Sequence, residues 1–294
     1  MDSPKPVNIA DLRALSKLVS HAAFKKLSAN TNQSSYIRQL KKYVCWDSLQ
    51  EKRPHNLEEL IAYAYNTLEQ NYRCEYIYKS SLLNNFVLGK YALSDTILLN
   101  EFRIGNSIAD AVLINGTNKV FEIKTELDTP ERLQSQLNDY YKAFSEVYVF
   151  THYSLANKYL DLLPEYVGLV IYTAGGAVME HRPATVINSQ LDISTMMGSL
   201  RKAEYLKLVQ TLAGFIPEAT PVYMYKTCLK VLLCFNEVLV QKRYHKILKE
   251  RISLDTNLYI EEQVFPNYLN FSFYQQNLPK KSYLTLISNL RKTV

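Results

Sequence analysis

The chain is poor in glycine, with 8 in 294 residues and none before Gly89. That scarcity excludes a hairpin-rich β fold over the N-terminal part and favours helices there. Cysteine is also sparse. Cys45, Cys74, Cys228 and Cys234 form no CxxC pair, and His21, His55, His152, His181 and His245 are scattered without metal-ligand spacing. A structural zinc site is therefore not expected, and reduced, mostly buried thiols in a cytoplasmic protein are. No apolar run is long enough to span a bilayer, so no membrane partner is expected. The segment Met1-Asp2-Ser3-Pro4-Lys5-Pro6 lacks the apolar stretch of a signal peptide. Internal repeats and low-complexity linkers are absent.

What is present describes a packed protein. Hydrophobic residues make up 47% and charged residues 21%, a balance that excludes a disordered chain. The net charge of +6 suits a nucleic-acid partner without requiring one. Tyrosine is abundant, at 23 residues, and most of these are expected to pack in the core.

The pattern divides into a helical region over 1–70, an α/β core over 71–185 and a mainly helical region over 186–294. Asp11 is expected to cap a helix carrying Leu12, Leu15, Leu18 and Val19. Asn56 is expected to cap one carrying Leu57, Leu60, Ile61, Ala64 and Leu68. A helix is predicted over 75–90, then strands over 97–104, Ile108–Ile114 and Val120–Thr125, with Asn115-Gly116 as a turn signal. Thr129 and Pro130 read as the N-cap and first position of a helix with Leu133, Leu137, Tyr140 and Phe144 inward. Further strands are expected at Val147–Thr151 and Val167–Tyr172. The second turns at Gly175-Gly176 into Ala177–Glu180. Helices are predicted over Ser194–Leu212 and Tyr225–Arg251. The last forty residues give no clear pattern.

The chemistry concentrates on Asp110 and on Glu122-Ile123-Lys124. Side chains of a strand alternate faces, so Glu122 and Lys124 share one face while Phe121 and Ile123 take the other, expected to be the helix-covered core. A hairpin would set Asp110 beside Glu122. Two carboxylates and a lysine at the end of a buried sheet are costly unless paired. A hard divalent cation, Mg²⁺ or Mn²⁺, would pair the carboxylates, and an ammonium beside it would orient a water for hydrolysis. A solvated Glu/Lys strand face is the bland alternative for the triplet. Asp128 reads as a charge near the following helix, paired with Arg132. The basic run Lys242-Arg243-Tyr244-His245-Lys246 reads mainly as a solvated helix face.

On these residues the sequence resembles the PD-(D/E)XK nuclease superfamily. Ala109-Asp110 is followed twelve residues later by Glu122-Ile123-Lys124, and the next helix holds Gln136 and Tyr140 in a QxxxY pattern. Glu122 through Gln136 also looks like a bacterial branch of that superfamily. The likeness covers about residues 72–152, and Ala109 stands where the motif's name has proline. It implies a restriction-endonuclease-like core, a central mixed sheet flanked by helices, with helical N- and C-terminal extensions. It further implies Mg²⁺ (or Mn²⁺) held by Asp110, Glu122 and the Ile123 carbonyl, with Lys124 positioning the attacking water and Gln136 orienting site groups. The superfamily often adds another acid, for which Glu101 is favoured, with Glu75 as the alternative. The implied activity is phosphodiester hydrolysis, on DNA before RNA, in phage defence or mobile-element biology, with a homodimer compatible. The alternative is a nuclease-fold module that has lost catalysis and binds nucleic acid or a protein partner.

Overall fold

The computed structural model describes residues 8–28, 32–49, 53–116, 118–252, 260, 265–276 and 279–294. The chain forms two compact units, Met1–Asn84 with Leu254–Val294, and Asn85–Ser253.

The first unit is helical, as the lack of glycine predicts. It contains α1 (Ile9–Leu18), α2 (His21–Leu27), α3 (Ser34–Tyr43), α4 (Leu57–Asn71) and α5 (Glu75–Ser81), together with the helices Asn267–Gln276 and Lys280–Leu290. Asn8, not Asp11, caps α1: its side chain accepts the Ala10 N–H, and Asp11 lies inside the first turn. Asn56 caps α4 as expected, accepting the Glu59 N–H at 2.9 Å while Glu59 reaches back to the His55 N–H. The helix predicted over 75–90 is α5 followed by a π-helical stretch, Leu82–Val87. The two C-terminal helices lie in the region that has no readable sequence pattern.

The second unit is an α/β structure built on a six-stranded mixed sheet in the order β1-β2-β3-β4-β5-β6. The strands are β1 (Ile97–Ile104), β2 (Ser107–Ile114), β3 (Asn118–Lys124), β4 (Glu146–His152), β5 (Gly168–Tyr172) and β6 (Val178–Arg182). The pairs β1–β2, β2–β3 and β5–β6 are antiparallel; β3–β4 and β4–β5 are parallel. Each parallel pair needs a crossover, and helices supply both: α6 (Leu133–Tyr140) between β3 and β4, and α7 (Ala156–Leu162) between β4 and β5. Nothing in the sequence pattern predicted α7. Gly176, at φ +80°, makes the turn between β5 and β6.

Each long predicted C-terminal helix is two. α8 (Ile193–Gly198) and α9 (Lys202–Ala213) replace the first, and α10 (Pro221–Leu232) and α11 (Glu237–Lys249) replace the second. Asn236 caps α11 through the Val238 and Leu239 amides. These helices bury Met196, Met197, Leu208, Val209, Ile247 and Leu248 in the same core as the strands. Through that shared apolar core the second unit runs past 185 to Ser253. Thiols also depart from expectation: Cys228 is buried, but Cys45 and Cys234 are exposed and Cys74 is half-buried. All four are free. Among the described residues, no helix is long and apolar enough to cross a membrane.

In the run 242–246, Lys242 and Lys246 are exposed while Tyr244 and His245 are buried. The His245 ring packs on Phe144, and its Nδ1 meets the Asn118 amide at 2.5 Å, at the start of β3. Burial pushes the His245 pKa down from 6.5 to about 3. Below pH 6.5 the unfolded chain takes up a proton that the native state refuses. The stability this group contributes is therefore present above about pH 6.5 and is lost as pH falls toward about 3. The slope is about 1.4 kcal/mol per pH unit. Urea unfolding of the parent and His245→Gln across that window should show the flatter pH dependence in the variant.

Candidate active site

The registers of β1, β2 and β3 place three acids in one row across the sheet. Ala111 pairs with Phe121, so the next step sets Asp110 across from Glu122. Asn100 pairs with Ala111 and Phe102 with Ala109, which sets Glu101 across from Asp110. The backbone departs from a regular strand at this row. Glu101 has φ +50°, a left-handed conformation unfavourable for a side chain by about 1–2 kcal/mol. Ile97 and Leu99 before it, and Phe102 and Ile104 after it, all enter the same core. Strict alternation forbids this; a kink at Glu101 permits it. β2 changes face too, since Ala109, Val112 and Ile114 share that core on either side of Asp110. Local strain of this kind concentrates at functional sites.

Asp110 is held by β3: its Oδ2 accepts the Ile123 N–H at 2.7 Å. Glu122 and Lys124 are 2% and 7% exposed, which excludes a solvated strand face. The Lys124 ammonium lies 2.8 Å from Glu122 Oε1 and 3.1 Å from Gln136 Oε1 of α6. Tyr140, one turn further along α6, donates to Glu122 Oε2 at 2.5 Å. Burial, and then the Glu122 charge, keep the Tyr140 phenol protonated far above its ordinary range. Thr151 on β4 donates to the Lys124 carbonyl at 2.6 Å. The charges thus lie beneath α6. Phe121 and Ile123 are buried on the opposite face as expected, with Phe121 stacked on Tyr148 and edge-on to Phe86 of the π-helical stretch, so helical segments cover both faces of β3.

The structure therefore brings together Asp110, the Ile123 amide, Glu122, Lys124 and Gln136. Glu101 lies across from Asp110 in register, exposed. Glu75 belongs to the other unit, where it pairs with the buried Lys79. α6 begins later than expected. Arg132 takes the N-cap position, and Thr129 and Pro130 lie outside the helix. Leu133, Leu137 and Tyr140 are buried as predicted, and Phe144 is buried beyond the helix end. Asp128 does not pair with Arg132; its Oδ2 accepts the Thr125 N–H and hydroxyl, both at 2.8 Å.

Two further groups have no linear signature. His152 ends β4, where its Nδ1 meets Ser154 Oγ at 2.8 Å and Glu126 at 3.6 Å, and its ring packs against Tyr153 and Tyr172. Tyr159, on α7, is fully buried in the core beside α6. Only the return of the chain over the sheet brings either residue to this end of the parallel strands.

Fold and row together define an α/β protein with a buried Glu122–Lys124 pair on a central strand and a half-buried Asp110 on the strand beside it. The family described as Bacteriophage P4 protein cII matches residues 68–271, and the chain belongs to that family. Protein cII of Enterobacteria phage P4 is 24% identical over 177 residues, which cover 56% of this chain and 66% of that protein. The chain thus spans just under two-thirds of that relative's length. The SPO1766 protein of unknown function from Silicibacter pomeroyi aligns with a TM-score of 0.29 and 15% identity, covering 41% of this chain and 81% of its own. That likeness is too slight to inform the fold.

A buried ion pair is costly to break from one side, because the remaining charge stays buried without its partner. Lys124→Met should lower stability by about 3–5 kcal/mol. Glu122→Gln combined with Lys124→Met should recover most of that loss, as read by urea unfolding of the parent, both single variants and the double variant.

Proposed function

We propose that the chain is a metal-dependent phosphodiesterase of the restriction-endonuclease-like class, acting on nucleic acid and on DNA in particular. The observation that carries this reading is the buried Lys124 ammonium, shared between Glu122 and Gln136, in the strand facing Asp110. Such a cluster contributes little to stability compared with an apolar core, so its presence favours a chemical role.

The donor atoms suit a hard cation. Asp110 and Glu122 would hold Mg²⁺ or Mn²⁺, with the Ile123 carbonyl as a further oxygen. Among the described residues no three His, Cys, Asp or Glu side chains converge to hold an ion. Mg²⁺ is commonly bound by one or two carboxylates and keeps several waters. When bound, it would acidify a water and offset charge on the phosphate. The protein's own groups do the positioning. Two of the three Lys124 N–H donors are engaged, leaving one for an attacking water or a phosphate oxygen. Gln136 holds Lys124 in place, and Tyr140 fixes the Glu122 carboxylate. The kinship with a phage protein favours a mobile-element setting; phage defence and a cytoplasmic location belong to the same reading. Cutting both strands of a duplex would call for two copies, so a homodimer belongs to this reading.

A second reading has its own support. Both Glu122 oxygens are engaged by protein groups, and Asp110 Oδ2 holds a backbone amide. These favour a module that binds nucleic acid or a protein partner without catalysis.

Supercoiled plasmid with Mg²⁺ or Mn²⁺ should be nicked by the parent, and at least about 100-fold more slowly by Lys124→Ala, with circular dichroism confirming a folded variant. Equal cutting by both proteins rejects the assignment. Calorimetric titration of Mn²⁺ separates the two readings. A catalytic site binds the ion and loses it in Asp110→Ala, whereas the binding module shows no such heat.

A further inference from the structure

The consecutive crossovers β3–α6–β4 and β4–α7–β5 run in the same direction across the sheet, and right-handed connections then place α6 and α7 on one face. That face carries Glu122 and Lys124. α6 contributes Tyr140, whose hydroxyl is used on Glu122. α7 contributes Tyr159, equally buried, whose hydroxyl has no hydrogen-bond partner among the described residues. A buried hydroxyl without a partner is unfavourable and requires an explanation. Its surroundings indicate what kind of partner would suit it. Burial, then the charges of Asp128 and Glu122, push the Tyr159 pKa up to about 12. The phenol therefore stands within electrostatic reach of both carboxylates.

Asp128 has capacity to spare as well. Both of its hydrogen bonds, from the Thr125 amide and hydroxyl, go to Oδ2. Its Oδ1 accepts none among the described residues, and the residue is exposed. An anion would be repelled by two carboxylates. A water-coated cation would be attracted, and its waters are strong hydrogen-bond donors.

We propose that Tyr159 and Asp128 form the outer shell of a divalent-cation site at Glu122, accepting hydrogen bonds from the ion's retained waters on the Tyr159 hydroxyl and Asp128 Oδ1. This rests on the cation reading given above. It answers the missing third acid: Asp128 acts through water, in place of direct ligation by Glu101 or Glu75. Both residues are positioning residues, since neither touches the ion.

The test is the Mn²⁺ dissociation constant, by calorimetry and by electron paramagnetic resonance of free Mn²⁺, for the parent, Tyr159→Phe and Asp128→Asn. Losing an outer-shell partner should weaken binding about 10-fold or more in each variant. The metal-free Tm of Tyr159→Phe should equal or exceed the parent's, because the lost hydroxyl has no protein partner. Equal Mn²⁺ affinity in the parent and Tyr159→Phe overturns the outer shell and leaves the cation site standing. A parent that binds no Mn²⁺ overturns both. Weaker binding with a lowered metal-free Tm assigns the phenol a structural role and also overturns the inference.

Discussion

The buried contact between Glu122 and Lys124 is the constraint around which the sheet unit is arranged. Two opposite charges on one face of a central strand cannot remain desolvated unless their remaining hydrogen-bonding capacity is met. α6 meets it from above, Gln136 taking the ammonium and Tyr140 the carboxylate. The spacing of those two residues, four apart on a helix, matches the spacing of two residues on alternate positions of the strand beneath. The crossover from β3 to β4 is thereby fixed both by apolar packing of Leu133 and Leu137 and by polar contacts.

The strain at Glu101 belongs to the same arrangement. Antiparallel pairing continues on both sides of Glu101 and Asp110, yet the inward-facing residues change parity there. A regular ladder would bury the Asp110 side chain among apolar neighbours or turn it to the wrong face. The kink lets Asp110 lie half-buried beside β3 and accept the Ile123 amide. Membership of the Bacteriophage P4 protein cII family covers all of these residues, since the match runs from 68 to 271. The chemistry proposed for them rests on their geometry and not on the family's name.

Tyrosine has two different uses in this unit. Tyr148 stacks on Phe121 and donates to Glu180, so its ring and hydroxyl are both satisfied within the sheet's far face. Tyr140 and Tyr159 approach the charged row from neighbouring crossover helices, one with its hydroxyl engaged and the other without. Residues with the same sequence character thus have opposite hydrogen-bonding states, decided by which helix carries them.

Much of the fold was legible in the sequence. Local periodicity located β1 to β6 to within a few residues, the Asn56 cap and the Gly175-Gly176 turn, because each depends on neighbours in the chain. The trio Asp110, Glu122 and Lys124 was legible for the same reason, since alternation and hairpin spacing are local rules. Where several residues competed for one local role, the sequence misled: Asn8 displaced Asp11, and Arg132 took the place expected of Thr129. Long-range packing was beyond its reach. That α6 covers the Glu122 and Lys124 face of β3 could not be read, because local alternation does not say which segment packs on which face. Likewise α7, the His152 and Tyr159 positions, and the joining of the C-terminal helices to the N-terminal ones have no periodic signature. The sequence by itself therefore determined the strands and which charges they carry. Tertiary structure decided which helix hydrogen-bonds to those charges and which hydroxyl is left over, because both depend on contacts between segments far apart in the chain.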